Sequence, residues 1–225
     1  VTGSITSKGY VGAIGGTLGN SPVIIRNCYS AATITGNGSS ANYSGGLVGR
    51  VRTELTIENC YAAAAVSSPV AGGVVAGAQN STTPASTYNN VIAWNPSVDG
   101  STAEPFGTTT ALDVLNGTYT FAGMTVNGEP VQDGLTHREL QTVAGTWGSP
   151  WYKDPSAGNG YPILEWQFKR GDYRELCGFA LQTAIESVVT SKQNAQNDVY
   201  DLSGRKVTGS KLSGGIYIVD GKKKV

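Results

Sequence analysis

The stretch IIRNCYSAAT at residues 24–33 returns as TIENCYAAAA at residues 56–65, 32 positions later. In both copies an apolar residue stands two positions before an asparagine, and a cysteine follows that asparagine directly. A third copy is centred on Asn90, where valine takes the place of cysteine. Consecutive repeats of about 30 residues are typical of solenoids, in which each repeat forms one coil.

The asparagines of these copies, Asn27, Asn59 and Asn90, mark a predicted bend in each strand. The matched apolar residues on either side of the asparagine are 3 positions apart, which breaks the two-residue period of a flat strand. Asparagine is enriched among non-glycine residues with left-handed backbone, and asparagines stacked about 4.8 Å apart can form side-chain ladders. We therefore predict a mainly β fold, a parallel β-helix-like β-solenoid of about three repeats over residues 1–98.

A second repeated element is a glycine-rich motif. GAIG, GLVG and GVVA begin at Gly12, Gly46 and Gly73, which are 34 and 27 residues apart. The differences in length lie in polar turns, as expected when the stacked strands stay matched. A phosphate-binding loop would need a lysine and a helix start after the glycines. Tight corners and close strand stacking explain these glycines better.

Beyond residue 98 the repetition is no longer visible in the sequence. Residues 99–170 are predicted to form an aromatic-rich α/β capping region that covers the open end of the solenoid, because unpaired strand edges must be protected. Short helices are expected at 108–117 and 135–142, the second with a capping box of Thr136 and Glu139, and an Asn-Gly hairpin within 119–131. Residues 171–197 are a predicted linker or helix, and residues 198–225 a small β-meander. The core of the capping region is predicted to contain Trp147, Trp151, Tyr161 and Trp166.

The charge balance argues against two classes of partner. Sixteen basic and sixteen acidic residues cancel, so the basic surface expected of a nucleic-acid-binding protein is missing. No stretch approaches the roughly 18 apolar residues of a spanning helix, so no membrane insertion is expected. Since the sequence begins inside the repeat pattern, we expect a fragment of a longer exported protein, extracellular or on a bacterial cell surface, whose signal lies outside it.

Catalytic motifs were sought and not found in the sequence. His137 is the single histidine, so the paired histidines of a zinc peptidase cannot be formed, and no GxSxG motif accompanies it. We expect His137 to be a surface residue of a helix. Glu54 and Glu58 are the only carboxylates in residues 1–98 and are expected to be solvated. We predict that the chain is not an enzyme and binds no metal or cofactor.

Cys28, Cys60 and Cys177 make an odd cysteine count for an exported protein. In-register coils would bring Cys28 and Cys60 about 5 Å apart, within the Cα range of a disulfide, although parallel side chains do not guarantee the bridging geometry. A disulfide is therefore one interpretation. Two reduced, small apolar residues are the favoured one, since Val replaces Cys in the third copy.

The repeats resemble a known family. GLVG at residues 46–49, followed by IENCYA at 57–62, resembles the GLUG motif of bacterial surface proteins, a family with adhesin-like members and some immunoglobulin A-cleaving peptidases. The segments at 90–100, 124–131 and 160–166 resemble those that close such arrays in large Bacteroidetes surface proteins. The last 27 residues, with VYDLSGRKV and GGIYIV, resemble C-terminal sorting tails of secreted Bacteroidetes proteins.

This resemblance implies an exported, non-enzymatic surface module, an adhesin or surface-binding scaffold whose partner is a host glycan, matrix or another cell-surface protein. The alternative is an accessory carbohydrate-binding or spacer domain of a larger polysaccharide-active enzyme or peptidase. Exposure of the candidate stacking residues would favour glycan binding, whereas their burial would favour a scaffold. These candidates are Tyr29, Tyr61, Trp94, Trp147 and Trp151.

Overall fold

The computed structural model describes residues 1–39, 42–78, 85–107, 113–152, 160–170, 199–201, 217–219 and 222–224. The chain divides into two compact units, Val1–Ala180 and Leu181–Val225. The predicted linker or helix at 171–197, the predicted turns of the tail and Cys177 lie outside the described residues.

The first unit is the predicted β-solenoid, with about four turns rather than three repeats. Short strands follow the chain around each coil, and the next coil repeats them. The first strands are β1 (Thr2–Ser7), β2 (Val11–Gly12) and β3 (Gly15–Leu18). Coil 1 has β4 (Val23–Arg26), β5 (Tyr29–Gly36), β6 (Tyr43–Gly45) and β7 (Val48–Val51). Coil 2 has β8 (Leu55–Ala62), β9 (Val66–Ser67), β10 (Val70–Gly72) and β11 (Val75–Ala78). Coil 3 has β12 (Ser86–Ala93), β13 (Ser97–Asp99) and β14 (Thr102–Glu104), and coil 4 has β15 (Val114–Thr120) and β16 (Thr125–Val126).

Strands of successive coils pair in parallel, so the sheets run along the solenoid axis. The largest sheet has ten strands in the order β15-β12-β8-β5-β9-β13-β16-β17, with β1 paired to β5 and β4 to β8. Here β17 (Glu129–Pro130) forms an antiparallel hairpin with β16. The other faces are the sheets β14-β10-β6-β2 and β11-β7-β3. This is the parallel, in-register stacking that the repeats predicted.

The bend at each asparagine is left-handed, as predicted. Asn27, Asn59 and Asn90 have φ values of 53°, 50° and 55°. The amide Nδ2 of Asn90 donates a hydrogen bond to Oδ1 of Asn59 over 3.1 Å, which is one step of the expected ladder. In coil 4 the bend is made by Gly117, with φ of 65°, so glycine replaces asparagine where left-handed backbone is needed.

The apolar positions flanking the asparagine form columns inside the solenoid. Ile25 pairs with Ile57, which pairs with Tyr88 one coil further on, and all three side chains are buried. On the other side of the bend, Cys60 pairs with Val91, and both are fully buried. A small apolar side chain is what this column has in common, as the sequence indicated.

The glycine motif lies at the corner between two strands of a coil, such as β6 and β7, where the next coil is very close. A Cβ atom on Gly46 would lie 2.1 Å from the carbonyl oxygen of Gly73 and 2.6 Å from the Cβ of Ala62. The next residue, Leu47, is fully buried, and its N–H donates to the carbonyl of Val74 in the following coil over 2.8 Å. At this corner the backbones of two successive coils lie so close together that no side chain fits at Gly46.

The solenoid continues beyond the predicted end at residue 98. Strand β15 pairs in register with β12, including Asn116 beside Asn89, and the helix predicted at 108–117 is wrong from residue 114 onward. The hairpin prediction is confirmed, since Asn127 and Gly128, with φ of 53° and 82°, connect β16 to β17. Glycine in place of the bend asparagine had hidden the fourth coil.

Residues 135–152 and 160–170 form a segment that lies along the flank of the stack. This segment contains α1 (His137–Gly145) and α2 (Glu165–Arg170). The capping box is confirmed, because the N–H of Glu139 donates to Oγ1 of Thr136 and the N–H of Thr136 donates to the Glu139 carboxylate. The segment bridges to coil 4 through Leu135 and reaches back to coil 1 at Asn27. It therefore buttresses several coils from the side.

The second unit contains the predicted β-meander. Strands β18 (Val199–Asp201), β19 (Tyr217–Val219) and β20 (Lys222–Lys224) form an antiparallel sheet in that order. In the described part of the chain, no helix is both long and apolar enough to span a lipid bilayer.

The bend predicts a graded response to substitution at Asn59. Alanine tolerates left-handed backbone less well than asparagine, and Asn59→Ala also removes the oxygen that accepts a hydrogen bond from the Asn90 amide. We therefore expect the free energy of unfolding to fall by roughly 1–2 kcal/mol. Asn59→Gly keeps the backbone conformation, as Gly117 does in coil 4, and should cost less. Urea unfolding of both variants measures the difference. Equal losses would mean that backbone conformation does not select asparagine there.

The close corner predicts that Gly46→Ala is far more damaging. The added methyl would overlap a backbone carbonyl that cannot move without separating two coils, so we expect a loss of roughly 3 kcal/mol or more. Gly145→Ala is the matched control, because a Cβ there meets nothing within 4 Å and alanine favours the helix. Thermal unfolding of the two variants side by side checks this. Similar melting temperatures would contradict the close approach of the coils.

Candidate functional site

The aromatic residues proposed for glycan stacking are buried. Their exposed fractions are 6% for Tyr29, 0% for Tyr61 and Trp94, 3% for Trp147 and 2% for Trp151. They come together in one cluster with Ile92, Leu140 and Ala144 on the flank that residues 135–152 and 160–170 cover. A ring whose faces are covered by other side chains offers no stacking surface to a sugar. For these residues the structure favours packing over glycan binding.

The cluster is built on a column of the solenoid. Tyr29 of coil 1 and Tyr61 of coil 2 are register partners, and their rings stack 5.0 Å apart with planes inclined by 8°. The column continues through Ile92 of coil 3. Trp147 and Trp151 from the flanking segment pack on it with centroids 5.1 Å apart. Repetition of the coil thus supplies the apolar strip against which the segment packs.

Polar tips of these rings anchor the segment at defined places. The indole N–H of Trp151 donates to Oδ1 of Asn27 over 3.1 Å, so the bend asparagine of coil 1 also holds the flank. The hydroxyl of Tyr61 donates to the carbonyl of Pro162 over 2.5 Å. Nε2 of the buried Gln167 donates to the hydroxyl of Tyr29 over 2.7 Å. Partnered polar tips let Tyr29, Tyr61 and Trp151 be buried without loss of hydrogen bonds, whereas the indole N–H of Trp147 is buried without a partner among the described residues.

His137 is the first residue of α1, as expected of a helix residue, and its side chain is partly buried against two aromatic rings. The indole N–H of Trp94 donates to its Nδ1 over 3.1 Å, and its ring lies 4.9 Å from that of Trp94 and 4.8 Å from that of Tyr161. Burial lowers the pKa of His137 below its usual value, opposed by a hydrogen bond with the backbone of Gly160. Since Nδ1 accepts a hydrogen bond, this imidazole is held in its neutral form.

Trp166 is exposed, although the sequence predicted that it would be buried. It was predicted in the core of the capping region but is 51% exposed, whereas Tyr161 is partly buried as part of the cluster. Within α2 the buried residue is Gln167, which follows Trp166 directly. That leaves Trp166 on the outer side of α2.

The exposed Trp166 borders a groove of about 300 Å³ between α2 and the beginning of the solenoid. The groove is open to solvent. Apolar Ile14, which is 42% exposed, lies across from α2, and Cys28 contributes a thiol. The lining is completed by Val1, Thr2, Asn27, Tyr29, Leu164 and Gln167. A partly exposed tryptophan beside an apolar groove can contact a ligand.

The two cysteines are neighbours but are free thiols, so the structure has the reduced form that the sequence favoured. Cys28 is partly exposed and Cys60 is buried. The N–H of Cys28 donates to Sγ of Cys60 over 3.3 Å, while Sγ of Cys28 donates to the carbonyl of Arg26 over 3.2 Å. Sulfur thus serves as a hydrogen-bond acceptor at the bend.

Glu58, one of the carboxylates of the solenoid, is paired with an arginine. Glu58 accepts a hydrogen bond from Nε of Arg26 across the two coils over 2.5 Å, and both side chains are partly exposed. In the described residues, no group of three or more His, Cys, Asp or Glu side chains could hold a metal ion. The ion pair of Arg26 and Glu58 stabilises the stacking of the two coils by a modest amount, as exposed ion pairs do.

Comparison with known proteins gives one structural relationship. No protein-family model matches the chain, and no curated protein matches it. Among solved structures, the chain is similar to a protein from Bacteroides ovatus named "putative immunoglobulin A1 protease", with 26% sequence identity and a TM-score of 0.60. The match covers 73% of this chain and 56% of that one, so the chain spans little more than half of the other protein's length.

The environment of His137 predicts how stability responds to pH. Its pKa in the folded chain lies below the unfolded value of about 6.5, so the unfolded chain binds the proton more readily. The stability that the neutral His137 contributes is fully present above the pKa of His137 in the unfolded chain. It is lost as the pH falls through the pKa of His137 in the folded chain. An NMR titration should give an imidazole midpoint below about 6.5, and with one histidine in the chain the assignment is direct.

His137→Gln is the control, because an amide does not titrate in this range. Between pH 7.5 and pH 5 its free energy of unfolding should fall less than that of the parent chain. A midpoint above 6.5 in the parent would mean that the imidazolium is the favoured form, which contradicts a neutral Nδ1 acceptor.

Proposed function

We propose that this chain is a non-enzymatic scaffold module of a larger exported protein. The observation that carries the proposal is the covered flank: Tyr29, Tyr61 and Trp94, which would be the outward rings of the solenoid, pack against residues 135–152 and 160–170 of the same chain. A flank closed by its own segment makes a stiff body. Such a body suits a spacer that positions a neighbouring domain.

Similarity to part of the Bacteroides ovatus protein supports the same proposal. That protein is named after a protease, and the chain matches 56% of it, so a non-catalytic part of a peptidase-type polypeptide is a suitable place for this fold. The GLUG resemblance of the repeats is compatible with that context and with a cell surface location. Within this chain the single histidine packs on Trp94, which supports the absence of a His-dependent hydrolytic site.

Incubation of the purified chain with immunoglobulin A1 tests the non-enzymatic part of the proposal. We expect intact heavy chains after prolonged incubation, by gel electrophoresis and mass spectrometry. Cleavage that co-purifies with the chain and is lost in His137→Gln would overturn the proposal. Cleavage that is unchanged in that variant and removed by further purification would be a contaminant.

A surface-binding module, as in adhesins, is the second candidate, and the groove beside Trp166 favours it. A half-exposed tryptophan next to exposed Ile14 could contact a glycan ring or an apolar side chain of a matrix protein. This surface replaces the buried residues that the sequence had suggested.

A glycan and matrix-protein array tests that candidate with two matched variants. If a ligand binds, Trp166→Ala should lower its affinity about tenfold or more, as removal of a central aromatic contact does. Val114→Ala is the control, because Val114 is 44% exposed on coil 4 and does not line the groove. Equal affinity of all three proteins would exclude the groove. No binding to either array would leave the spacer as the function.

A further inference from the structure

The thiols of Cys28 and Cys60 occupy equivalent positions on adjacent coils but differ in access. Cys60 has a register neighbour on each side, since Val91 lies beyond it, and it is 0% exposed. Cys28 lies in coil 1 and lines the open groove beside Trp166. A reagent in that groove can therefore reach one thiol of the pair, and only that one.

The sulfur of Cys60 lies next to the backbone of Cys28. Sγ of Cys60 accepts a hydrogen bond from the N–H of Cys28, so it lies 3.3 Å from the backbone of its neighbour and leans toward coil 1. Tyr29 pairs with Tyr61 directly after the cysteines, which fixes the register. Neighbouring strands are about 4.8 Å apart, inside the Cα range of disulfides. Cys28 lines the groove, and closing the bond would break the hydrogen bond from its thiol to the carbonyl of Arg26.

We propose that Cys28 and Cys60 form a reactive dithiol pair in which Cys28 exchanges with low-molecular-weight disulfides and Cys60 resolves the adduct. In the first step the Cys28 thiolate attacks one sulfur of the disulfide RSSR, which forms a mixed disulfide and releases RS⁻. In the second step Sγ of Cys60 attacks Sγ of Cys28 and releases the second RS⁻, which takes the Cys60 proton. The net reaction converts two thiols and RSSR into one internal disulfide and two RSH.

The acidity of the two thiols fits these roles. The hydrogen bond from the Cys60 thiol lowers the pKa of Cys28 to about 7, although burial opposes the shift. The pKa of Cys60 is raised, first by its hydrogen bond to Cys28 and then by burial. At neutral pH the accessible thiol is therefore the one that ionises, and the thiolate is the attacking species.

The test uses the full chain with Cys177→Ser, so that only this pair can react, and oxidised glutathione as the probe. We expect the folded protein to lose two hydrogens by intact mass, and peptide mapping to link the peptides of Cys28 and Cys60. With Cys60→Ser added, one glutathione should remain attached to Cys28. With Cys28→Ser added instead, Cys60 should react at least about tenfold more slowly, because it is buried.

Cys60→Ser retains an acceptor for the Cys28 N–H, and Cys60→Val is a second variant because Val91 occupies the same column. Circular dichroism confirms that each variant is folded before it is compared. A stable glutathione adduct on Cys28 with Cys60 intact would overturn the resolving role. Reaction of the parent only after unfolding in urea, or equal rates for Cys28 and Cys60, would overturn the whole proposal.

Discussion

The fold depends on one constraint, which is that each coil must return to the same path one strand spacing above the last. Backbone hydrogen bonds between parallel strands enforce that spacing, so every side chain lies beside its counterpart in the next coil. A bend that recurs at the same place needs a residue that tolerates left-handed backbone, and Asn27, Asn59 and Asn90 supply it. The ladder bond between Asn59 and Asn90 then adds polar pairing outside the core.

The same repetition explains why the aromatic flank has to be covered. Equivalent positions on successive coils form a column, and where that column is aromatic it makes an apolar strip along the axis rather than a spot. Tyr29, Tyr61 and Ile92 form such a strip, and residues 135–152 and 160–170 cover it. The segment reaches coil 1 through the hydrogen bond of Trp151 to Asn27. One asparagine therefore serves both the bend and the attachment of the flank.

Sequence predicted the features that repeat and missed those that do not. The bend, the buried Ile25 column and the glycine corner recur, so their period identifies them. The fourth coil escaped notice because Gly117 performs the role of asparagine without resembling it. Burial of Trp147 and Trp151 was predicted. Burial of Tyr29, Tyr61 and Trp94 was not, because it depends on a segment far along the chain, and no local pattern shows where such a segment packs. The groove beside Trp166 was missed for the same reason, since it joins α2 to the first strands.

Position along the axis, finally, gives one column residues of different character. Cys28 and Cys60 occupy the same position in successive coils. This position accommodates a small apolar side chain, and in the third copy it is valine. Cys60 has coils on both sides and is fully buried, whereas Cys28 lies near the beginning of the stack and borders a groove. A packing role and a chemical role are therefore compatible in the same motif. Equivalent residues of a solenoid share their backbone conformation and the direction of their side chains. Their solvent access, pKa and reactivity differ because they lie in different coils along the axis.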